Sequence, residues 1–171
     1  PDFHAIFPER FNNKTNGVTP RRWLRMCNPG LSALITEWIG DERWVSDLDR
    51  LREIEPKAEI ASERERFLAV KLANKEALAR LLPAKIDPAT LFDVHVKRLH
   101  EYKRQLMNIL HVAWLHLRLK AGQDFTPRTF LFGAKAAPAY DMAKRIIRLI
   151  HSVGAAIDAD PAVRGRRKVA F

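Results

Sequence analysis

The pattern of apolar and polar positions changes character once along the chain. Up to about residue 86 it predicts only helix and loop. Residues 1–30 are punctuated by turn signals at Asn12-Asn13, Asn16-Gly17, Thr19-Pro20 and Asn28-Pro29-Gly30. Within them, Thr19 is placed to cap a short helix that has Pro20 at its first position and is stopped by Asn28-Pro29-Gly30. Leu31, Leu34, Ile35, Trp38 and Ile39 then recur at helical spacing, and Gly40 stops that run. A short helix is predicted over about 42–48, around Trp44, Val45 and Leu48. A long one runs from Glu59 to about Leu82, with Ile60, Phe67, Val70, Ala73, Ala77, Leu78 and Leu81 at three- and four-residue steps, and Pro83 closes it.

Beyond Asp87-Pro88 strands enter. Leu91-Phe92-Asp93-Val94-His95-Val96 is of strand length and rich in β-branched and aromatic residues. A helix follows from about His100 to Lys120, carrying Leu106, Ile109, Leu110, Ala113, Trp114 and Leu117. Thr129-Phe130-Leu131-Phe132 is a second strand that ends at Gly133. Pro138 to about Ile157 is a further helix with Met142, Ile146, Ile147, Leu149, Ile150 and Val153, and Val169-Ala170-Phe171 opens a third strand. Strand–helix–strand–helix–strand at these spacings is half of an open parallel α/β sheet. The predicted organisation is a helical lead-in over residues 1–86 followed by a truncated Rossmann-like β-α-β-α-β unit over 87–171. The start Pro1-Asp2-Phe3-His4 has neither an initiator Met nor the basic and apolar regions of a signal peptide, and the end reads as a strand just beginning. Both features predict a fragment of a longer protein.

Composition narrows the classes. The 171 residues are 47% apolar and 29% charged, the balance of a globular chain, and no apolar run reaches the length of a membrane span. One cysteine, Cys27, rules out a disulfide scaffold and a Cys-rich zinc site. Neither a GxGxxG nor a GxxxxGK[ST] phosphate loop is present, nor HExxH, nor GxSxG. His95, His100, His111 and His116 match no common metal-ligand spacing and read as structural or surface residues. Trp23, Trp38, Trp44 and Trp114 read as core residues.

The formal charge of +10 is distributed unevenly. Residues 41–65 hold nine acids and five bases, whereas 97–104 hold four bases and one acid and 164–168 hold four bases and no acid. Taken alone, such runs read as solvated surface. Position alters that reading for one of them. Ligands of open α/β sheets bind beyond the carboxyl ends of the strands. Lys97 and Arg98 directly follow the first strand, and Lys103 and Arg104 fall in the first turn of the predicted helix, where the positive end of the helix dipole disfavours cations. Gly133 and Lys135 repeat the arrangement after the second strand. Placement leaves two readings open: a phosphate site that uses these cations and free helix N–H groups, or a basic loop rim without a ligand. A nucleic-acid-binding module built on the 97–104 and 164–168 clusters is a further alternative, although interleaved aromatics are lacking.

Three blocks add a resemblance. Phe11-Asn12-Asn13-Lys14-Thr15-Asn16-Gly17-Val18-Thr19-Pro20-Arg21-Arg22-Trp23, Phe92-Asp93-Val94-His95-Val96-Lys97-Arg98-Leu99-His100-Glu101-Tyr102-Lys103-Arg104-Gln105-Leu106 and Gly133-Ala134-Lys135-Ala136-Ala137-Pro138-Ala139-Tyr140 resemble hallmark stretches of the glycogen (α-glucan) phosphorylases, in the family's order and spacing. The third block departs from the family's Gly-Gly-Lys and Pro-Gly-Tyr at Ala134 and Ala139. The first two blocks argue against another two-lobed glycosyltransferase that uses a sugar nucleotide.

The resemblance implies half of the C-terminal lobe of a two-lobed glycosyltransferase-B type fold with the active site between the lobes. It implies a cytoplasmic enzyme, a homodimer at full length, that carries out reversible phosphorolysis of α-1,4-glucan with retention. Inorganic phosphate would be the attacking group, glucose 1-phosphate the product and pyridoxal 5′-phosphate the cofactor. Carried over by position, Lys97, Arg98 and Lys103 match the cations that hold the substrate and cofactor phosphates. Asn16 matches a residue bonded to a glucosyl hydroxyl, and Tyr102 a neighbour of the glucosyl site. Trp23 matches an aromatic beside the cofactor, and Tyr140 an aromatic at the entrance, where inhibitors stack in some members. The resemblance places the lysine that forms the Schiff base beyond Phe171, so this chain alone is expected to hold no cofactor covalently and to show no turnover. No metal and no nucleic acid are implied.

Overall fold

The computed structural model describes residues 2–12, 19–163 and 166–171. It divides into two compact units, Pro1–Lys71 and Leu72–Phe171.

The first unit contains α1 (Asp2–Ile6), a 3₁₀ turn at Pro8–Arg10, a π-helical stretch at Pro20–Met26, α2 (Pro29–Ile39), a 3₁₀ turn at Arg43–Val45, a 3₁₀ run at Leu48–Glu59 and the beginning of α3 (Ala61–Leu81). Thr19 precedes the π-helical stretch in extended backbone, but its side chain makes no cap hydrogen bond, so the expected capping role is not realised. Asn28 does cap: its Oδ1 accepts from Leu31 N at 3.2 Å, Pro29 opens α2, and Gly40 at φ 93° closes it. Ile35, Trp44 and Val45 form the core of this unit, supported by Leu24, Leu31, Ile39 and Leu51. Trp44 is fully buried and its indole N–H donates to Thr36 Oγ1 at 2.9 Å. The acidic segment that follows was expected to form a short helix over 42–48. It forms 3₁₀ turns instead, and its longer run contains Pro56, which lacks the N–H that an α-helical ladder would need.

Asp41 organises the turn after α2. Its carboxylate accepts from Arg43 N, Nε and Nη2 at 2.9, 2.9 and 2.7 Å and from Arg50. These bonds, those from the Arg43 side chain foremost, hold its pKa at about 2. A carboxyl depressed in this way stabilises the fold above its unfolded pKa of about 4, and the contribution fades as the pH falls toward 2. Asp41→Asn is therefore expected to lower the unfolding midpoint at neutral pH and to converge with the parent chain by about pH 2. A gap between the two midpoints that stays constant from pH 4 to pH 2 would count against this role.

The second unit contains the end of α3, β1 (Leu91–Val96), a 3₁₀ turn at Glu101–Lys103, α4 (Gln105–Lys120), β2 (Arg128–Gly133), α5 (Asp141–Ala159), a 3₁₀ turn at Pro161–Val163 and β3 (Arg167–Ala170). The strands form one parallel sheet in the order β1-β2-β3, with register from Leu91↔Arg128 to Val96↔Gly133 and from Arg128↔Arg167 to Leu131↔Ala170. The expected α/β half-sheet is thus the observed fold. Alternation along β2 divides the core between the two faces of the sheet. Phe130 and Phe132 pack with Ile109 and Val112 of α4 and with Ile146, Ile150 and Ile157 of α5, whereas Leu131 packs with Ile86 and Ala170 on the other side, beside Ala79, Leu82 and Phe92. α5 is buried along Ala143, Ile146, Ile150, Gly154 and Ile157, a single helical stripe. Gly154 lets it lie close against β3, because a Cβ there would stand 3.3 Å from Val169 Cβ.

Other apolar stripes do not become core. No residue of α3 is buried, although its apolar spacing predicted a packed face. α4 buries Gln105, Ile109, Val112 and Leu115 and leaves Leu106, Leu110, Trp114 and Leu117 exposed. This corrects the reading of Trp114 as a core residue, and Trp23, at 59% exposure, is corrected likewise. The reason is common to both helices: a helix with apolar residues on several faces can turn only one of them toward a given neighbour.

Candidate phosphate-binding site

The parallel strands put their carboxyl ends on one edge, and the ladder continues past them. Lys97 N donates to Gly133 O at 3.0 Å and Leu99 N to Lys135 O at 3.1 Å, so the segments after β1 and β2 run side by side. Leu99 is buried and anchors the first segment, while Lys97 and Arg98 before it keep their side chains exposed. Gln105, the first residue of α4, is 1% exposed and reaches back under this segment. Its Nε2 donates to the carbonyls of Lys97 and Arg98 at 3.3 and 3.2 Å. Both backbone groups of Lys97 are thereby held, and its side chain is left free for a ligand.

Lys103 and Arg104 were expected inside the first turn of the helix. The structure places them just before it. Arg104 has φ 66°, the only positive φ of a non-glycine residue among the described residues, and this left-handed step separates the 3₁₀ turn Glu101–Lys103 from α4. The turn brings Lys103 back toward β1: Val94, His95, Val96, Lys97 and Lys103 line one open depression at the strand end. Backbone left-handed at a bulky residue costs about 1 kcal/mol or more and clusters at functional sites. Among the described residues none of Lys97, Arg98, Lys103 and Lys135 is paired with a carboxylate, whereas Arg25, Arg43, Arg50, Arg66, Arg128, Arg145 and Arg166 each are.

The remaining predicted residues fall as follows. Arg98 shares the loop but does not line the depression. The Tyr102 ring lies 5.4 Å from Lys103 Nζ and is itself exposed. Tyr140 ties the two strand-end loops together: its hydroxyl donates to Glu101 Oε2 at 2.6 Å and accepts from Glu101 N at 3.3 Å, and its ring lies 5.2 Å from that of His100. The adjacent Glu101 carboxylate raises the Tyr140 pKa above its ordinary value. Trp23 belongs to the first unit, and Asn16 lies outside the described residues. His95 borders the depression and is fixed by Asn108, whose Nδ2 donates to His95 Nδ1 at 3.1 Å. Among the described residues no group of His, Cys, Asp and Glu is arranged to hold a metal ion, and no helix is long and apolar enough to cross a membrane.

Sequence reasoning missed Gln105 and Glu101. For Gln105 a signal existed: it stands four residues before Ile109 and seven before Val112, a polar residue in phase with a buried stripe. A buried amide at such a position is there to satisfy backbone groups. Glu101 had no such signal, because its partner Tyr140 is 39 residues away.

A model of the carbohydrate phosphorylase family matches residues 1–171. The chain belongs to this family. It is 52% identical to a glycogen phosphorylase of Bacillus subtilis and 51% identical to one of Synechocystis, in each case over 176 aligned residues and 99% of the chain. It is 48% identical, over the same share, to the brain form of glycogen phosphorylase from Homo sapiens. These alignments cover 21–22% of the relatives, so the chain spans about a fifth of their length. Membership in the phosphorylase family replaces both alternatives, the nucleic-acid-binding module and the sugar-nucleotide-dependent glycosyltransferase. It also gives the basic segment after β1 a context that charge alone did not supply.

Proposed function

We propose that this chain is the phosphate-handling part of an α-glucan phosphorylase, a cytoplasmic enzyme, dimeric at full length, that cleaves α-1,4-glucan with inorganic phosphate. The reaction exchanges one bond for another. A phosphate oxygen becomes bonded to the anomeric carbon of the non-reducing terminal glucosyl unit, the glycosidic C–O bond breaks, and the shortened glucan leaves with a proton on its oxygen. Glucose 1-phosphate forms with retention.

The observation that carries this reading is the convergence of Lys97 and Lys103 on one depression at the carboxyl end of β1, with Arg98 beside them and, among the described residues, no carboxylate paired with any of the three. Fixed, unpaired cations on a preorganised backbone suit oxyanions whose charge must be held during reaction. The same donors fit the phosphate group of pyridoxal 5′-phosphate, and when bound that group supplies a proton relay. Two phosphates close together repel, and Lys97, Arg98 and Lys103 offset that repulsion. Tyr102 is proposed to border the glucosyl unit, Asn16 to bond one of its hydroxyls, Trp23 to flank the cofactor ring, and Tyr140 to stand at the entrance.

The test is an assay of the complete enzyme for phosphate-dependent release of glucose 1-phosphate from an α-1,4-glucan. Release is expected to require both phosphate and the cofactor. Glucan cleavage that proceeds equally well without phosphate would reject the reading.

A further inference from the structure

The run Arg164 to Lys168 read as solvated surface from its composition, and in part it is the opposite. Arg167 opens β3 and is 6% exposed. Its neighbours are provided for: Arg166 pairs with Asp124 and donates to Phe125 O at 2.8 Å, Lys168 pairs with Asp158, and Arg128, its register partner on β2, pairs with Asp93 at 3.3 Å. Among the described residues Arg167 has no such partner. Its Nε and Nη1 are buried without a hydrogen bond, and its guanidinium is flanked by the rings of Phe125 and Phe130 at 5.3 and 5.9 Å. The residues outside the described ones contain no Asp or Glu, so no carboxylate of this chain answers this charge. Ring faces offset only part of the cost of burying a cation, and Arg128 and Arg166 add repulsion. Burial, with those two charges, pushes the Arg167 pKa below the usual arginine range.

Arg167 borders a cleft of about 180 Å³ at the amino end of the sheet, opposite the strand ends that carry Lys97. Lys85, Asp87, Thr90, Thr129, Asp158 and Lys168 line it as well. The volume exceeds several times the ~30 Å³ of one water, enough for a small ion. The lining groups leave a cationic surplus. Asp87 Oδ1 is turned to its own turn, accepting from Ala89 N at 2.8 Å. Thr90 Oγ1 lies 2.8 Å from Asp87 O and 2.6 Å from Thr129 Oγ1, so both hydroxyl protons are committed within the wall. Lys168 is neutralised by Asp158. What remains for a ligand is Lys85, which is exposed and without an ion-pair partner among the described residues, and Arg167 behind it.

We propose that this cleft binds an oxyanion held by Lys85 and Arg167, supplied either by a phosphate group or by a carboxylate. It is a second anion site, separate from the depression at Lys97 and Lys103. The experiment uses the complete enzyme carrying Lys97→Ala and Lys103→Ala, which removes the two cations that line the first depression. Its thermal midpoint is followed against inorganic phosphate and, separately, malonate, each at constant ionic strength made up with chloride. At least one of the two is expected to raise the midpoint by roughly 2–6 °C at saturation. The rise is expected to vanish when Arg167→Leu is added and to shrink by about half with Lys85→Ala. Leucine replaces a buried unpaired charge with an apolar group, and alanine removes an exposed side chain, so neither change threatens packing. A rise with phosphate alone assigns the site to phosphate, and one with malonate alone to a carboxylate. No rise with either anion, or a rise that survives both Arg167→Leu and Lys85→Ala, overturns the proposal.

Discussion

Lys97→Ala in the complete enzyme is expected to lower kcat/KM for inorganic phosphate by about 10²–10³-fold, the usual effect of losing one preorganised group that stabilises developing charge. Arg98→Ala is expected to act in the same direction. The fold should not notice either change. The structural work at Lys97 is done by its backbone, through the bond from Lys97 N to Gly133 O and the bond that Lys97 O accepts from Gln105, and both survive in alanine. Its side chain is exposed, and exposed substitutions away from special features stay within about 0.5 kcal/mol. Initial rates at varied phosphate, beside a thermal melt, separate the two quantities. Kinetics that match those of the parent enzyme would remove Lys97 from the site.

Phe130→Ala should do the reverse, acting on the fold with no special bearing on phosphate. Phe130 is fully buried at the centre of β2, between β1 and β3, in the cluster that includes Ile109, Val112, Ile146 and Ile150. Truncating a core phenylalanine costs about 3–5 kcal/mol through lost burial and the cavity left behind. Here the ring also flanks the guanidinium groups of Arg128 and Arg167, so its removal takes a favourable face away from a buried cation. Set against a total stability of about 5–15 kcal/mol, a loss of that size leaves the second unit marginal. A denaturant titration that gives a loss under about 1 kcal/mol would contradict the placement of Phe130 at the sheet centre.

The two substitutions also mark what could be read in advance. β1 and β2 announced themselves as short apolar runs bounded by turn residues, and their observed limits differ from the expected ones by at most a residue. Lys97 and Arg98 were legible because a strand end is a local feature and two bases in succession there are conspicuous. Arg104 was misread for an equally local reason: helical residues follow it, and nothing in the composition signals a left-handed backbone at an arginine. Arg167 was misread because a basic run is normally solvated, and only pairing of β3 with β2 carries one member of the run into the core.

The sequence by itself determined the succession of strands and helices, the parallel α/β class, the family blocks and the cations at the end of β1. All of these are set by spacing and residue type over a few turns of chain. Tertiary structure decided which of several apolar faces on α4 became core, which tryptophans were covered, and how Gln105 and Tyr140 brace the loops after β1 and β2. It also decided that one arginine of a surface-like run has no counter-charge among the described residues. These outcomes depend on partners tens of residues distant, such as Tyr140 for Glu101 and Phe125 for Arg167, and burial is a property of the pair rather than of either residue.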